Sequence, residues 1–530
     1  MTKGTKDKNL ISGIIKYIFV ILFVPVFMCV IMLGTKMDYN EGLKLVTKYD
    51  NKLAVIIAVI GIFVVAFLAK KAGKIKLDAK TEGIADCVIA ALTFILYRIE
   101  LLIAHETAFK LPWDIGVVRG TANTFARGEA LGSDVYISVY HNNISIAYIL
   151  GRLLKRAQEK GYQGDPEFYW VEIGCLLMAL SVFFGTLLIK KITKNLAITA
   201  AGFLTLFVLV GLSGWMFATY TDSYGILFPV AAVYFYITYR QSDKPYIKIP
   251  AILLSCLSGA VGYFVKPSIF IVLIAMAACE ILGLIRKPRR SAVYFAVFMI
   301  SLCAVVVGAS KYKEKASDEL GFDRIENLAA GVMDYFYMGQ NEKTTGSYSN
   351  EDVTVFGEFQ FEEKSVREKA CFERAINRIK EKGIVGAPYF WLKKMVMTFN
   401  DGTFGWRGEV WIANEYWPPV CSDTKRTQLL RDIWWIDGFH ELKFNTLMQQ
   451  VWIFVLTGLF VYPFIERKKD GEREIREFLT VLFIGVFLYQ VLLEARARYL
   501  FVFLPVIIAM AMSGISGLSK KNIEKWRKRD

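Results

Sequence analysis

The apolar residues of this chain fall into long runs of roughly 20 residues, the length that a helix needs to cross the hydrocarbon core of a bilayer. The sequence contains about twelve such runs. Backbone inside a bilayer has to satisfy its own hydrogen bonds, so the runs predict helices. We therefore expect an all-α polytopic membrane protein, which excludes a soluble enzyme, a disordered chain and a disulfide scaffold. The runs lie near 13–34, 53–69, 84–103, 167–189, 196–219, 224–239, 249–265, 268–285, 291–309, 448–465, 477–493 and 500–517.

The basic residues indicate the orientation of the chain and remove one class of function. A net charge of +15 is compatible with nucleic-acid binding. However, the short segments predicted inside carry 29 Lys and Arg in 73 residues, against 26 in 200 for the two long outer segments. This is the positive-inside pattern, which predicts both termini in the cytoplasm. It also predicts that the basic clusters that flank the spans contact lipid headgroups. The inner segments are 1–12, 70–83, 188–195, 240–248, 286–290, 466–477 and 518–530.

The spacing of the runs predicts four units in the chain. Residues 1–83 form an N-terminal helical hairpin, whose first run is an anchor because it is long and lacks a small-residue cleavage site. Residues 84–309 form a membrane core with a first outer loop at 105–166, in which 142–157 is predicted as an interfacial helix because its apolar stretch is too short to span. A large extracytoplasmic module at 310–447 and a C-terminal unit at 448–530, with three spans and a basic tail, complete the chain.

Cysteine and histidine give few signals for a metal or disulfide site. Of the eight cysteines, only Cys371 and Cys421 lie in the large outer module, where a disulfide and two free thiols are both open. No CxxC pair is present, so a cysteine-based zinc site is not expected. The three histidines, His105, His141 and His440, are all predicted outside, lack ligand spacing and favour ordinary polar contacts.

Two carboxylates stand where the chain leaves the membrane on the outer side. Asp114 follows Pro112 and Trp113, and it either caps a helix over 115–127 or acts as a general base. Asp222 lies in a short turn between two spans, where it is either a turn residue or a second carboxylate that faces the same cavity.

Cations stand at the same predicted depth. Lys266 joins two apolar runs just before Pro267, and it either snorkels to the headgroups or pairs with a phosphate. Arg496 and Arg498 lie between the last two spans, beside Tyr499, and they form either a salt bridge with Glu494 or a fork for a lipid-borne phosphate. Together with the carboxylates, they suit an enzyme that acts on a lipid phosphate better than a transporter, whose polar groups are expected in mid-membrane.

The order of these features resembles the GT-C glycosyltransferases, which use polyprenyl-phosphate sugars, in the superfamily of protein O-mannosyltransferases and aminoarabinose transferases. The resemblance covers about residues 84–517 and rests on an early Asp in a long first outer loop, a Lys-Pro hairpin, a large late outer loop and an Arg-Tyr hairpin before the last span. Three segments of the large module look like uncharacterised bacterial members, namely 337–341 (YMGQN), 346–353 (GSYSNEDV) and 400–406 (NDGTFGW). The first two spans have no counterpart in the minimal family core.

The resemblance implies roles for individual residues. Asp114 takes the place of the catalytic acid in the first loop, although the family often has two adjacent acids and this chain has Ile115 as the neighbour. His141 replaces a Pro of the family pattern, in the segment Tyr140 to Asn143. Lys266, Arg496 and Arg498 would bind the donor phosphate. Asp222, His141 and Tyr499 would contact the acceptor or a divalent metal ion, on which members of the fold differ.

The implied activity is inverting transfer of a sugar from a polyprenyl phosphate to a cell-surface glycan or protein, on the outer face of the cell membrane. Three alternatives stay open at this point. A ligase or polymerase would use a diphosphate-linked glycan, a lipid-linked sugar flippase or another transporter would make no covalent transfer, and a scaffold would need none of the outer ionisable groups.

Overall fold

The fold is an all-α membrane protein, as the computed structural model shows for residues 3–32, 50–73, 78–286, 288–410, 415–416, 424–465 and 470–527. The helices are α1 Lys3–Met32, α2 Asn51–Ala72, α3 Ala79–Thr107, α4 Asp114–Ala126, α5 Val135–Val139, α6 Ile144–Glu159, α7 Phe168–Thr193, α8 Leu196–Leu206, α9 Thr221–Gly225, α10 Leu227–Gln241, α11 Pro245–Val265, α12 Phe270–Arg286, α13 Pro288–Glu319, α14 Val332–Gly339, α15 Asn350–Val353, α16 Val355–Glu358, α17 Lys364–Phe399, α18 Trp406–Val410, α19 Lys425–Trp434, α20 Glu441–Val461, α21 Asp470–Leu492, α22 Arg498–Phe501 and α23 Leu504–Arg527.

Within the described residues, nine helical segments are long and apolar enough to cross a membrane. They correspond to nine of the predicted spans, so the all-α integral membrane class is confirmed. These segments are Leu10–Met32, Asn51–Ala72, Ala79–Thr107, Phe168–Thr193, Pro245–Val265, Pro267–Arg286, Ala292–Glu319, Glu441–Phe464 and Asp470–Leu492.

The other three predicted spans are shorter or broken helices. The run at 196–219 is helical only to Gly211 and then forms a separate turn over Gly214–Phe217. A Cβ atom at Gly214 would lie 2.2 Å from the indole of Trp406. The space that a side chain would need at this position is therefore occupied by Trp406 of the large module. The run at 224–239 becomes the 15-residue helix α10, and the run at 500–517 becomes α22 followed by the apolar part of α23.

The predicted inner segments contact one another at one end of the bundle. Arg240 forms ion pairs with Glu280 and Glu474, at 2.9 and 2.6 Å. Arg286 pairs with Glu477 at 2.6 Å, and Ser12 donates a hydrogen bond to the same carboxylate. These contacts group segments that the charge pattern assigns to a single side of the membrane.

The first outer loop packs against the large outer module at the opposite end. Helix α6 is amphipathic, its apolar face packs against α4 and α7, and it is not among the candidate spans. A two-stranded antiparallel pair, β1 Phe109–Lys110 and β2 Glu415–Tyr416, connects the two outer segments. The backbone amides of Leu131 and Gly132 also donate to the carbonyls of Leu320 and Gly321.

The large outer module has a core of its own around Cys371. This cysteine is a buried free thiol, and its sulfur lies 3.3 Å from a carboxylate oxygen of Asp334. Asp334 also pairs with Arg367, which is fully buried and donates to two backbone carbonyls. Cys421, the other half of the disulfide considered above, lies outside the described residues.

Candidate functional site

Asp114 lies at the first position of helix α4, at the end of the bundle where residues 105–166 pack against residues 310–447. Trp113 is the N-cap residue, and no side chain caps this helix, so Asp114 does not have the capping role that was its structural alternative. About a third of its side chain is exposed, at 38%. The carboxylate is therefore open to solvent on one side and can meet an incoming hydroxyl group.

Asp222 and Lys266 form a buried ion pair at the same end of the bundle as Asp114. The Nζ atom of Lys266 lies 2.7 Å from Oδ1 of Asp222, which is fully buried in the short helix α9. Lys266 is itself buried, so it points at the carboxylate rather than snorkelling to the headgroups. Burial lowers the pKa of Lys266, while the charge of Asp222 opposes that shift. The second oxygen of Asp222, Oδ2, has no hydrogen-bond partner among the described residues.

The two arginines of the last hairpin converge on one carboxylate, which belongs to Glu409 of the large module. Arg496 donates from Nη1 to Oε1 of Glu409 at 2.9 Å, and Nε of Arg498 lies 3.6 Å from the same oxygen. Arg496 also approaches Glu494 at 3.4 Å, the salt bridge that was the structural alternative for this hairpin. Burial alone would raise the pKa of Glu409, but the charges of Arg498 and Arg496 outweigh it and hold that pKa below its usual value.

Arg498 is the residue that links the acid and the cations. Its Nη2 atom lies 3.8 Å from Oδ2 of Asp114, and its guanidinium lies over the rings of Trp113 and Tyr499 at 4.6 and 5.4 Å. Lys266 also lies over the ring of Tyr499, with Nζ 4.9 Å from the ring centroid. Although Arg498 is buried, Nε and Nη1 have no hydrogen-bond partner among the described residues. These two donors are available to an oxyanion.

Tyr136 and Asn143 are two polar residues of the first loop in the surroundings of Asp114. Tyr136 is a neighbour of Asp114; burial raises the pKa of Tyr136, and nearby Tyr220 and Asp114 raise it further. Asn143 donates to the Tyr136 hydroxyl at 3.0 Å and accepts from the Tyr220 hydroxyl at 3.2 Å. Asn143 therefore connects Tyr136 and Tyr220 by hydrogen bonds next to Asp114.

His141 lies apart from this group, although Asn143, two residues later in the chain, belongs to the group. Burial, together with the nearby charges of Arg324, Lys313 and Lys364, lowers the pKa of His141 to about 4. Its ring packs against Phe322, with the centroids 6.4 Å apart. The charged neighbours of His141 are therefore cations, which is the opposite of what a metal ligand requires.

The residues at this site do not fit a divalent metal ion. Within the described part of the chain, no group of three or more His, Cys, Asp or Glu side chains is close enough to hold one. Asp222 faces Lys266, and Glu409 faces Arg496 and Arg498, so each carboxylate already has a cation for a neighbour. We therefore assign no step of the chemistry to a metal.

Glu409 and Tyr136 are the central residues that the sequence analysis did not single out. Glu409 follows the segment 400–406 in the chain. In this segment the Asp401 carboxylate accepts hydrogen bonds from the backbone amides of Thr403 and Gly405. Gly405 has a φ of +78°, which a side chain would strain, and the turn delivers α18 with Glu409. The motif was a signal for this turn, but nothing in it pointed to Glu409.

Two of the tryptophans that the structure describes in the large module belong to the core. Trp406 and Trp434 are buried, and Trp406 packs against Trp215, Phe217 and Phe109. Trp113 is different, because its indole nitrogen donates to the Glu409 carbonyl at 2.8 Å while its ring faces Arg498. The aromatic surface of the site is therefore made by Trp113, Tyr220 and Tyr499.

The sequence of this chain matches the model of a family described as conserved hypothetical integral membrane protein, over residues 8–516. No curated protein matches the chain. The matched region contains both outer segments and all residues of the site described above.

Proposed function

The chain belongs to the family of conserved hypothetical integral membrane proteins, and we propose that it is a GT-C type glycosyltransferase that takes a sugar from a polyprenyl phosphate. The transfer occurs on the outer face of the cell membrane, to a hydroxyl of a cell-envelope glycan or protein. The observation that carries the proposal is the position of Arg498. Its guanidinium lies 3.8 Å from the partly exposed carboxylate of Asp114, and two of its buried donors, Nε and Nη1, have no hydrogen-bond partner among the described residues.

A sugar on a lipid phosphate needs a base and a cationic pocket within one sugar's width of each other. Asp114 supplies the base, and Lys266, Arg496 and Arg498 supply the positive charge. These residues come from three segments that the charge pattern predicts on the same side of the membrane. The site also lies where spans end, so a lipid phosphate reaches it while its prenyl chain stays in the bilayer.

The proposed reaction is a single displacement. Asp114 accepts the proton of the acceptor hydroxyl, whose oxygen attacks the anomeric carbon of the donor sugar. The bond between that carbon and the phosphate oxygen breaks, and the phosphate leaves with the electron pair. One displacement inverts the anomeric centre. The two products are a new glycoside and a polyprenyl phosphate.

The cations act on the leaving phosphate. Charge grows on its oxygens as the bond breaks, and each well-placed donor in a desolvated site contributes about 3 kcal/mol to the transition state. Arg498 has the free donors for this role, and the ring of Tyr499 lies against both Arg498 and Lys266.

The limited number of uncommitted donors favours a monophosphate over a diphosphate donor. Lys266 is engaged by Asp222, and Arg496 is engaged by Glu409 and Glu494. Among the described residues, the buried nitrogens of these three cations that lack a hydrogen-bond partner are Nε and Nη1 of Arg498 and Nε of Arg496. A ligase or polymerase that binds a diphosphate would need more free positive charge than this arrangement offers.

The test replaces the proposed base and follows sugar transfer. Asp114→Asn keeps the size of the side chain and removes the base, so transfer of labelled sugar to the cell-surface glycan is expected to fall by about 10²- to 10⁴-fold at equal expression. Asp323→Asn is a matched control, because Asp323 is an exposed outer carboxylate away from the site. Near-normal transfer by Asp114→Asn would refute the assignment of the base.

A further inference from the structure

The C-terminal end of helix α21 is capped by the large outer module rather than by its own chain. The last carbonyls of a helix have no partner within the helix, so they need donors from elsewhere. The ammonium of Lys394, in α17, donates to the carbonyls of Val491 at 3.1 Å and of Leu493. The side-chain amide of Gln340 donates to the carbonyl of Leu492, between them, at 2.8 Å.

The same ammonium ties this helix end to a turn of the large module. Lys394 donates a third hydrogen bond, to the carbonyl of Gly339 at 2.7 Å, and its side chain is fully buried. The backbone amide of Ala495 in turn donates to the carbonyl of Gly346 at 2.9 Å. A cation at this place also interacts favourably with the negative end of the helix dipole.

The fit around Lys394 leaves no space for larger residues. A Cβ atom at Gly339 would lie 2.5 Å from the backbone carbonyl carbon of Leu493, and one at Gly346 would lie 2.6 Å from Cε of Lys394. Gly346 also has a φ of +74°, in the left-handed region. The glycines of the two segments 337–341 and 346–353 thus allow the module to approach the helix end closely.

The backbone that the large module holds by these hydrogen bonds continues directly into the hairpin of the proposed site. Residues 491, 492, 493 and 495 are all bonded by the outer module, and Glu494, Arg496 and Arg498 follow or lie among them. We propose that Lys394 is a positioning residue, which fixes the hairpin so that Arg498 and Arg496 face the donor phosphate. This inference rests on the proposed function, because it concerns how that site is held. Lys394 itself does not touch the substrate.

The experiment measures the binding of undecaprenyl phosphate to the full-length protein in nanodiscs. The variants are Lys394→Met, which removes the ammonium, and Gln340→Ala, which keeps the ammonium and removes the neighbouring bond to Leu492 together with the bond that Gln340 accepts from Trp391. Lys393→Met is the matched control, because Lys393 is the adjacent, half-buried lysine of the same helix. Leu188→Ala, at a buried position in α7, controls for a general loss of stability.

We expect Lys394→Met to weaken binding by about tenfold to hundredfold, since a shift of about 1 Å in positioned groups has effects of that order. Gln340→Ala should weaken it in the same direction by less, and both controls should bind like the wild type. In the transfer assay, both variants should raise the KM for the donor while the KM for the acceptor stays unchanged.

The outcomes separate the two proposals. If the wild type binds undecaprenyl phosphate, Arg498→Ala does not, and Lys394→Met and Gln340→Ala bind like the wild type, the positioning role is overturned while the proposed function stands. An equal loss of binding by Leu188→Ala would also overturn it, because general stability would then explain the effect. If the wild type and Arg498→Ala bind equally, the proposed function fails, and the positioning role fails with it.

Discussion

The buried pair of Asp222 and Lys266 allows the structural and the functional roles of a charge to be measured separately. Replacing one partner, as in Lys266→Met, leaves the other without its counter-ion in a buried place. Replacing both, as in Asp222→Leu with Lys266→Met, removes both charges and fills similar space. The stability of the protein should recover in the double variant, and the binding of a lipid phosphate should not.

The expected size of the effect follows from the burial. Asp222 is fully buried and the side chain of Lys266 is 10% exposed, so solvent screens the pair weakly. Breaking such a pair by removing one partner costs about 3–5 kcal/mol in the free energy of unfolding, whereas replacing both by apolar residues is often neutral. We therefore expect each single variant to lose about 3 kcal/mol or more, and the double variant to stay within about 1 kcal/mol of the wild type.

The assay combines two measurements on the same four proteins. A reversible SDS titration gives the free energy of unfolding, and titration with undecaprenyl phosphate in nanodiscs gives the binding constant. A double variant whose loss equals the sum of the two single losses would refute the pairing. A double variant that binds undecaprenyl phosphate as well as the wild type would refute the role of Lys266 in the donor site.

Two further predictions concern the other charged groups. Glu409→Gln should weaken donor binding by about tenfold, since Arg496 and Arg498 lose the carboxylate that orients them, and Glu358→Gln, on an exposed outer pair, is the control; unchanged or tighter binding would contradict this. Burial lowers the pKa of Lys394 to about 7, with Glu494 raising it and Lys382 lowering it. Because an unfolded lysine titrates near about 10.4, the unfolded chain binds more protons between these two pH values, and the contribution of Lys394 to stability should rise with pH across that window. Lys394→Met should lack this rise in a series of thermal unfolding curves, and an identical slope for both proteins would contradict the assignment.

Hydropathy predicted most of the fold, because a bilayer imposes the same length and composition on every span. It failed where the backbone breaks inside an apolar run, as at Gly214, where Trp406 takes the space of a side chain. Composition cannot show such a break, since Gly and small polar residues are also common within continuous membrane helices. The partner that causes the break lies almost 200 residues away in the sequence.

The site was partly predictable for a different reason. An ionisable residue at the membrane boundary is costly, so Asp222, Lys266 and Arg498 stood out against apolar surroundings. Glu409 did not, because a glutamate in a polar outer segment is ordinary, and its role depends on a turn that brings it to Arg496 and Arg498. Tyr136 was missed for the same reason, since its contact with Asp114 follows from the tertiary fold of the first loop.

The most direct test of a polyprenyl-phosphate donor is the lipid content of cells that lack the protein. Lipids are extracted and analysed by mass spectrometry, with wild-type and Asp114→Asn genes returned on a plasmid. We expect a sugar linked to polyprenyl monophosphate to accumulate without the protein, to disappear with the wild-type gene and to persist with Asp114→Asn. An unchanged lipid profile, or the accumulation of a diphosphate-linked glycan instead, would contradict the account.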